Sequence, residues 1–477
     1  SATQILGAAM ASCCKSTTRK SGKKGVADAP LGNKRQSFHP DPEQQTHKIS
    51  KSAKELRREA AADQHHAAKI IRTKVEENCG CHKGVPGQGI RFCGWTQIAD
   101  NETKLMRVLK DHGWHSYMTG RQMCGLRWVC PICTAKRAEE DRKAVNDGLA
   151  AARSRGGLWP VMLTLTTRHT RKDKAIPLLA AILQAEQKMK TLKCWDRVKE
   201  RMPGYARVLE WTYGETNGHH PHFHTILLIR ADTEAEAIAL VEGLRASYMF
   251  QLAKAGRDGT SKAAWKRSFQ VQGAAAAENY ITKWGAAEEL TGAQKKDDGK
   301  GLNPWQLLRL SRTAETEAER KKYMSIWLEI IAATKGKAQL FKSEGWNRLV
   351  ELWRSQQPEE EPAPEPEEVA DFGVRTGREA TQRWSAARTK TLVLREAAER
   401  HEDLGAARDE VEDLLINGQL DNEIFADMSD EEISLIDDDD VPLTPLDELL
   451  VALPIHDQPK QIMAERRPLP GPRAASP

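Results

Sequence analysis

The sequence predicts an α+β protein: antiparallel strands flanked by helices, preceded by a Cys-rich segment and bracketed by charged tails. Three observations carry that expectation. WPVMLTLTTRH (159–169) and the pair RVLEWTYGE (207–215) and HFHTILLI (222–229) have strand composition, and the pair is joined by a turn at NGHHP. Around them lie long runs with apolar residues at helical spacing. Six of the nine Cys fall within residues 79–137.

The elements follow in order. Residues 1–50 are rich in Lys, Ser, Thr, Gly and Pro without apolar periodicity, and disorder is expected. ILGAAMA near the start is too short for a signal h-region. Residues 51–78 are charged helix formers and predict a solvated helix, so 1–78 reads as a basic tail with that helix. Residues 79–155 read as a Cys-rich region, and a helix over 138–157 stops at Gly156-Gly157. Residues 156–357 hold the strands, helices over 172–200, 232–254 and 274–290, and a helical extension anchored by Trp305, Trp327 and Trp346. A stiff, self-repelling Pro/Glu linker spans 358–370. The acidic remainder, 371–477, is expected to be partly helical or disordered, with Asp437 to Asp440 in one run.

Charge points to a polyanionic partner. The 477 residues carry 72 basic and 67 acidic side chains, net +5. From Pro358 onward there are 12 basic against 30 acidic residues, net −18; the preceding residues hold 60 against 37, net +23. Such asymmetry points to a polyanion-binding body with an acidic tail. Mean hydropathy is −0.61, and no apolar run approaches the ~20 residues of a spanning helix, so no membrane partner is expected.

Two motifs carry chemistry. In HHPHFH (219–224), His222 and His224 stand two apart on a strand and share a face. Paired imidazoles suit Mn, Zn, Fe, Co or Ni, and Mg would need oxygen donors as well. Glu210, in the preceding strand, could reach the same cation. His219 and His220 read as turn residues. Tyr280, in ENYITKW, shares its helical face with Lys283 and Trp284, and a nearby Lys favours phenolate. A buried core tyrosine is the alternative reading.

LTLTTRH (163–169), RVLEWTYGETNGHHPHFHTILL (207–228) and YITK (280–283) occur in the order of the three motifs of rolling-circle plasmid replication initiators. The flanking CGLRWVCPICTAKR (124–137), NPWQLL (303–308) and IAATKGKAQLFKSEG (331–345) are also similar. Over roughly residues 90–350 the chain resembles these Rep proteins of the HUH endonuclease superfamily. The resemblance implies an HUH-type central antiparallel sheet and nicking of one origin strand. It implies His222, His224 and Glu210 as ligands of a divalent cation, Mg or Mn, and Tyr280 as nucleophile with Lys283 in support. The product would be a 5′-phosphotyrosine and a free 3′-OH, with later strand transfer. Thr164, Thr166, Arg168 and His169, in the first motif, are expected to contact DNA. Origin DNA, double- and single-stranded, a host helicase and a polymerase are the implied partners, in a bacterial cytoplasm. Some relatives carry a Glu four residues before the tyrosine; here that position is Ala276, and Glu288 is a poor substitute.

Cys130-Pro-Ile-Cys133 suits a tetrahedral zinc. A second pair must come from Cys93, Cys124, Cys79, Cys81 or His82; the resemblance favours Cys93 and Cys124. A buried thiol cluster or a redox pair would use the same residues. Rival functions are a mobilisation relaxase, a single-tyrosine transposase, or a non-catalytic zinc-containing DNA-binding regulator.

Overall fold

The computed structural model describes residues 53–77, 85–110, 113–284, 301–358, 364–374 and 390–416; of Ala53, Glu76 and residues 281–284 only the backbone is described. The expectations for 1–50, Cys79, Cys81, His82, Glu288, the Lys283 side chain and the Asp437–Asp440 run lie outside these residues.

The described chain forms two compact units. One takes residues up to Cys93 and from Met123 to Pro362; the other takes Gly94–Gln122 and the residues from Ala363 onward. This corrects the sequence-based boundaries. Residues 79–155 are not one module, because strands within 94–122 pair with a segment far along the chain. Nor is 371–477 simply a tail, because Phe372, Leu394, Ala397, Ala407 and Val411 pack in one core with Leu105.

The first unit opens with α1 (Ala53–Glu77). It is not solvated: Ala67, Ile70, Ile71 and Val75 are buried. Small residues hid an apolar stripe at helical spacing. A 3-10 turn at Gln88–Phe92 leads to Cys93. The chain then makes a hairpin in the second unit, β1 (Lys104–Lys110) and β2 (Gly113–Met118). It returns at Met123 and runs into α2 (Pro131–Arg153), which has Pro at its start where the missing N–H costs nothing.

There follow β3 (Leu158–Leu165), α3 (Ala175–Met189), α4 (Lys193–Arg201), β4 (Gly204–Gly214) and β5 (Gly218–Arg230). The expected single helix over 172–200 is thus two. That over 232–254 is also two, α5 (Glu234–Glu242) and α6 (Arg245–Lys254), separated at Gly243. Next come α7 (Lys262–Arg267), β6 (Phe269–Gln272) and α8 (Ala274–Trp284). The unit closes with α9 (Pro304–Thr313), α10 (Glu317–Thr334), β7 (Leu340–Lys342) and α11 (Glu344–Arg354).

The five strands form one antiparallel sheet in the order β6-β3-β5-β4-β7, with β5 central. Both faces are covered, which is why β3 and the end of β5 read as near-continuous apolar runs. Phe223, Leu227 and Ile229 face a core shared with α3, α6 and α10. The alternate residues Ile226 and Leu228 face a second core built from Val145 and Leu149 of α2, Ala277 of α8 and Trp346 of α11. A Cβ on Gly148 would lie 1.9 Å from Cζ2 of Trp346, so glycine is what lets α11 approach α2.

The second unit is a three-stranded antiparallel sheet, β2-β1-β8, with β8 at Glu367–Asp371. Part of the expected linker is therefore strand. α12 (Thr391–Arg400) and α13 (Leu404–Ile416) pack on it through Leu394, Ala397, Ala407 and Val411, against Leu105, Val369 and Phe372. Arg107 is buried there, bonded to Glu367 and to the carbonyls of His401 and Glu402 at the end of α12.

Candidate active site

The hairpin β4–β5 sets the site. Its turn is Glu215–Asn217, between Gly214 and Gly218, and not NGHHP. Gly218 has φ +76°, and a Cβ there would meet Arg171 Cα at 2.9 Å. The shorter turn places Glu210 directly opposite His222; a turn centred on His219 would have put it opposite Leu228. It also places His219, His220 and Pro221 within β5, which corrects their assignment to the turn. Pro221 is tolerated because β3 pairing ends at Phe223 and Thr166 Oγ1 donates to its carbonyl at 3.0 Å.

His220, His222 and His224 share one face of β5, and their successive ring centroids are 4.9 and 4.8 Å apart. Glu210 Oε2 lies 3.0 Å from His222 Nε2 and 3.5 Å from His224 Nε2. The other nitrogens are engaged elsewhere: His222 Nδ1 lies 3.3 Å from the His220 carbonyl, and His224 Nδ1 lies 3.0 Å from Thr164 Oγ1. One ligand atom from each of Glu210, His222 and His224 thus falls within 4.8 Å of the other two. Two imidazoles and a carboxylate, oriented through their outer atoms, are a donor set that fits a divalent cation.

Electrostatics follow the geometry. Burial alone would push the Glu210 carboxyl up, but hydrogen bonds and charge from His222 and His224 hold it well below the usual range. Burial depresses His222, and the Glu210 contact more than reverses this, raising it. His220 has no such carboxylate beside it; burial, then the charges of His222 and His169, push it down to about 3.

α8 lies over this face and brings Tyr280 to it. The ring is 4.7 Å from that of His224, and the hydroxyl donates to Glu210 Oε1. Glu278 points away, paired with Arg153 at 2.8 Å. Ala276 packs against the second core. Of the first-motif residues, Thr164 and Thr166 are bonded to β5. Arg168 is 62 % exposed and pairs with Asp258, while His169 stacks on His220 at 4.8 Å and lies 2.9 Å from the Asn217 carbonyl. His219, on the opposite face, accepts from Trp211 Nε1 and lies 3.3 Å from Glu329. Sequence reasoning missed the Thr164–His224 contact and the Tyr280–Glu210 bond. The first was within reach, since alternating Thr in LTLT share one face of their strand.

A second cluster joins Cys93, Cys124, Cys130 and Cys133. Cys93 Sγ is 3.7 Å from Cys130 Sγ and 3.5 Å from Cys133 Sγ, and Cys124 Sγ is 3.7 Å from Cys133 Sγ. Four sulfurs at about 2.3 Å from a zinc stand about 3.8 Å apart along the tetrahedron's edges, so the set fits that ion. Cys130 caps α2, its sulfur accepting from the Cys133 N–H. Gln64 of α1 donates to Cys130 Sγ at 3.4 Å and to the Cys93 carbonyl at 3.0 Å. Cys133 is pulled well below the ordinary thiol range by hydrogen bonds with Cys124, then Cys130 and Cys93. Cys194 stands apart, 3.1 Å from Ser247 Oγ.

Residues 116–253 match a family profile described as a replication protein. The matched segment carries β3, the β4–β5 hairpin and all three residues of the Glu-His-His set. This stretch is similar to replication proteins. Its likeness to rolling-circle initiators, read from the motifs, is borne out. A "Protein rep" of Streptomyces lividans is 32% identical over 156 residues, covering 26% of this chain and 33% of that protein. A "Neomycin resistance protein" of Streptomyces cyanogenus is 27% identical over 143 residues, covering 24% and 32%. A "Protein rep" of a Bacillus species is 30% identical over 136 residues, covering 28% and 38%. The chain spans about a third of the length of these relatives, and the profile match ends before Tyr280. No solved structure matches. Among the described residues no helix is long and apolar enough to cross a membrane.

Proposed function

We propose that the chain initiates rolling-circle replication of a plasmid by nicking one strand of its origin. One observation carries the reading: a tyrosine hydroxyl, a carboxylate and two imidazole nitrogens converge on one face of the central strand. His222, His224 and Glu210 would hold a divalent cation, Mg or Mn, which when bound polarises the scissile phosphate and offsets its developing charge.

Tyr280 Oη attacks the phosphorus. Its proton leaves along the hydrogen bond to Glu210. The bond from phosphorus to the 3′ oxygen breaks, and that oxygen takes up a proton to become a 3′-OH primer. The 5′-phosphotyrosine keeps the phosphodiester energy for later strand transfer. The cysteine cluster would bind a structural zinc that fastens α1, the 85–93 segment and the start of α2. A host polymerase and helicase would then extend the primer and unwind ahead of it.

The test is covalent capture. The full chain is mixed with a labelled single strand of the plasmid origin and Mn, then digested, and the DNA-linked peptide is sequenced by mass spectrometry. The peptide containing Tyr280 should carry the DNA, and Tyr280→Phe should give no adduct. Linkage at another residue overturns Tyr280 as the nucleophile; no linkage with the wild type overturns the proposal and favours a non-catalytic DNA-binding regulator.

A further inference from the structure

We propose that Thr164 is a positioning residue for the cation site, fixing the His224 imidazole so that Nε2 faces Glu210. This rests on the reading that Glu210, His222 and His224 hold a divalent cation.

The two histidines are oriented by different means. His222 Nδ1 faces the carbonyl of His220 in its own strand, a partner that no substitution there removes. His224 Nδ1 faces a side-chain oxygen on the neighbouring strand, Thr164 Oγ1, at 3.0 Å. β3 places Thr164 directly across from His224, so the contact is set by sheet register. A hydrogen on Nδ1, held by Thr164, leaves the lone pair on Nε2, the atom 3.5 Å from Glu210 Oε2. A cation ligand needs that tautomer.

The backbone under Thr164 is itself braced. The carbonyl of Thr166 accepts from Tyr248 Oη at 2.9 Å, and Thr166 Oγ1 donates to the Pro221 carbonyl at 3.0 Å. Both threonines of LTLT thus tie β3 to the histidine strand. Thr164 acts on the ring, Thr166 on the backbone.

The experiment measures Mn binding to the full chain without DNA, by the electron paramagnetic resonance signal of free Mn. Mn disfavours thiolate ligands, so the cysteine cluster does not compete. Thr164→Val keeps the shape and strand preference but removes the hydroxyl; Thr164→Ser keeps the hydroxyl. Loss of an outer partner of a metal-bound histidine weakens metal affinity roughly 10–100-fold. The Val variant should fall in that range, and the Ser variant should stay within about threefold of wild type. Thr164→Ala is the second hydroxyl-free variant, and melting curves without added Mn establish that each variant is folded. Val or Ala variants that bind Mn as the wild type does overturn the positioning role while leaving the cation site intact. A wild type that binds no Mn overturns the cation reading and this inference with it.

Discussion

Glu210→Gln is the most informative single change, because one carboxylate serves three partners. Oε2 sits 3.0 Å from His222 Nε2 and 3.5 Å from His224 Nε2, and Oε1 accepts the Tyr280 hydroxyl. The amide keeps the shape but removes the charge. Without metal, lost hydrogen bonds to a charged group cost about 1.5–3 kcal/mol each, offset by no longer burying a carboxylate, so the fold persists. With metal, a ligand is lost outright. That exceeds the 10–100-fold penalty of losing an outer-shell partner, so Mn affinity should drop by at least about 100-fold, or about 2.7 kcal/mol. The assay titrates Mn and follows both Mn binding and the yield of covalent DNA adduct. If Glu210 also aims Tyr280, the rate at saturating Mn stays below wild type. Full rescue by excess Mn would limit Glu210 to the ligand role. Unchanged Mn affinity in Glu210→Gln would refute the site as drawn.

Three further outcomes follow from other parts of the structure. Cys130→Ser/Cys133→Ser should lose about one zinc per chain by elemental analysis; unchanged zinc would put the ion elsewhere. Asp173, whose carboxyl is lowered to about 2 by its hydrogen bond to Arg257, contributes stability that is present above the ordinary Asp range and lost as pH falls towards 2. The contribution is at most about 2 kcal/mol, and Asp173→Asn should flatten the melting profile of the full chain between about pH 4 and 2. Ending the chain at Gln357 should cost the second unit, since it removes β8 and both helices that cover Leu105, whereas ending it after Ile416 should keep it; hydrogen exchange of β1 and β2 tells the two apart.

The sequence by itself determined the periodic and the spaced features. Apolar and β-branched runs over 159–166 and 222–229 specified strands, since a strand buried against helices needs little else. Two His at i and i+2 on a strand must share a face, and Cys130 and Cys133 at the start of a helix must lie close. What it misplaced was local punctuation. Two histidines and a proline look like a turn, yet the glycines at 214 and 218 close a tighter one, and the strand simply continues through Pro221 where β3 has ended.

Only the tertiary structure decided which distant residues meet. Cys93 meets Cys124 across 31 residues, and the β1–β2 hairpin meets its third strand some 260 positions later. That α1 is buried follows from Ala67, Ile70, Ile71 and Val75 finding partners to pack on, while Gln64 reaches Cys130, and no local pattern names those partners. That Tyr280 reaches Glu210, 70 residues away, and that Thr164 reaches His224 are matters of sheet order and helix placement. Pairing between strands and docking of helices are long-range contacts, paid for by the whole core, and no local pattern encodes them.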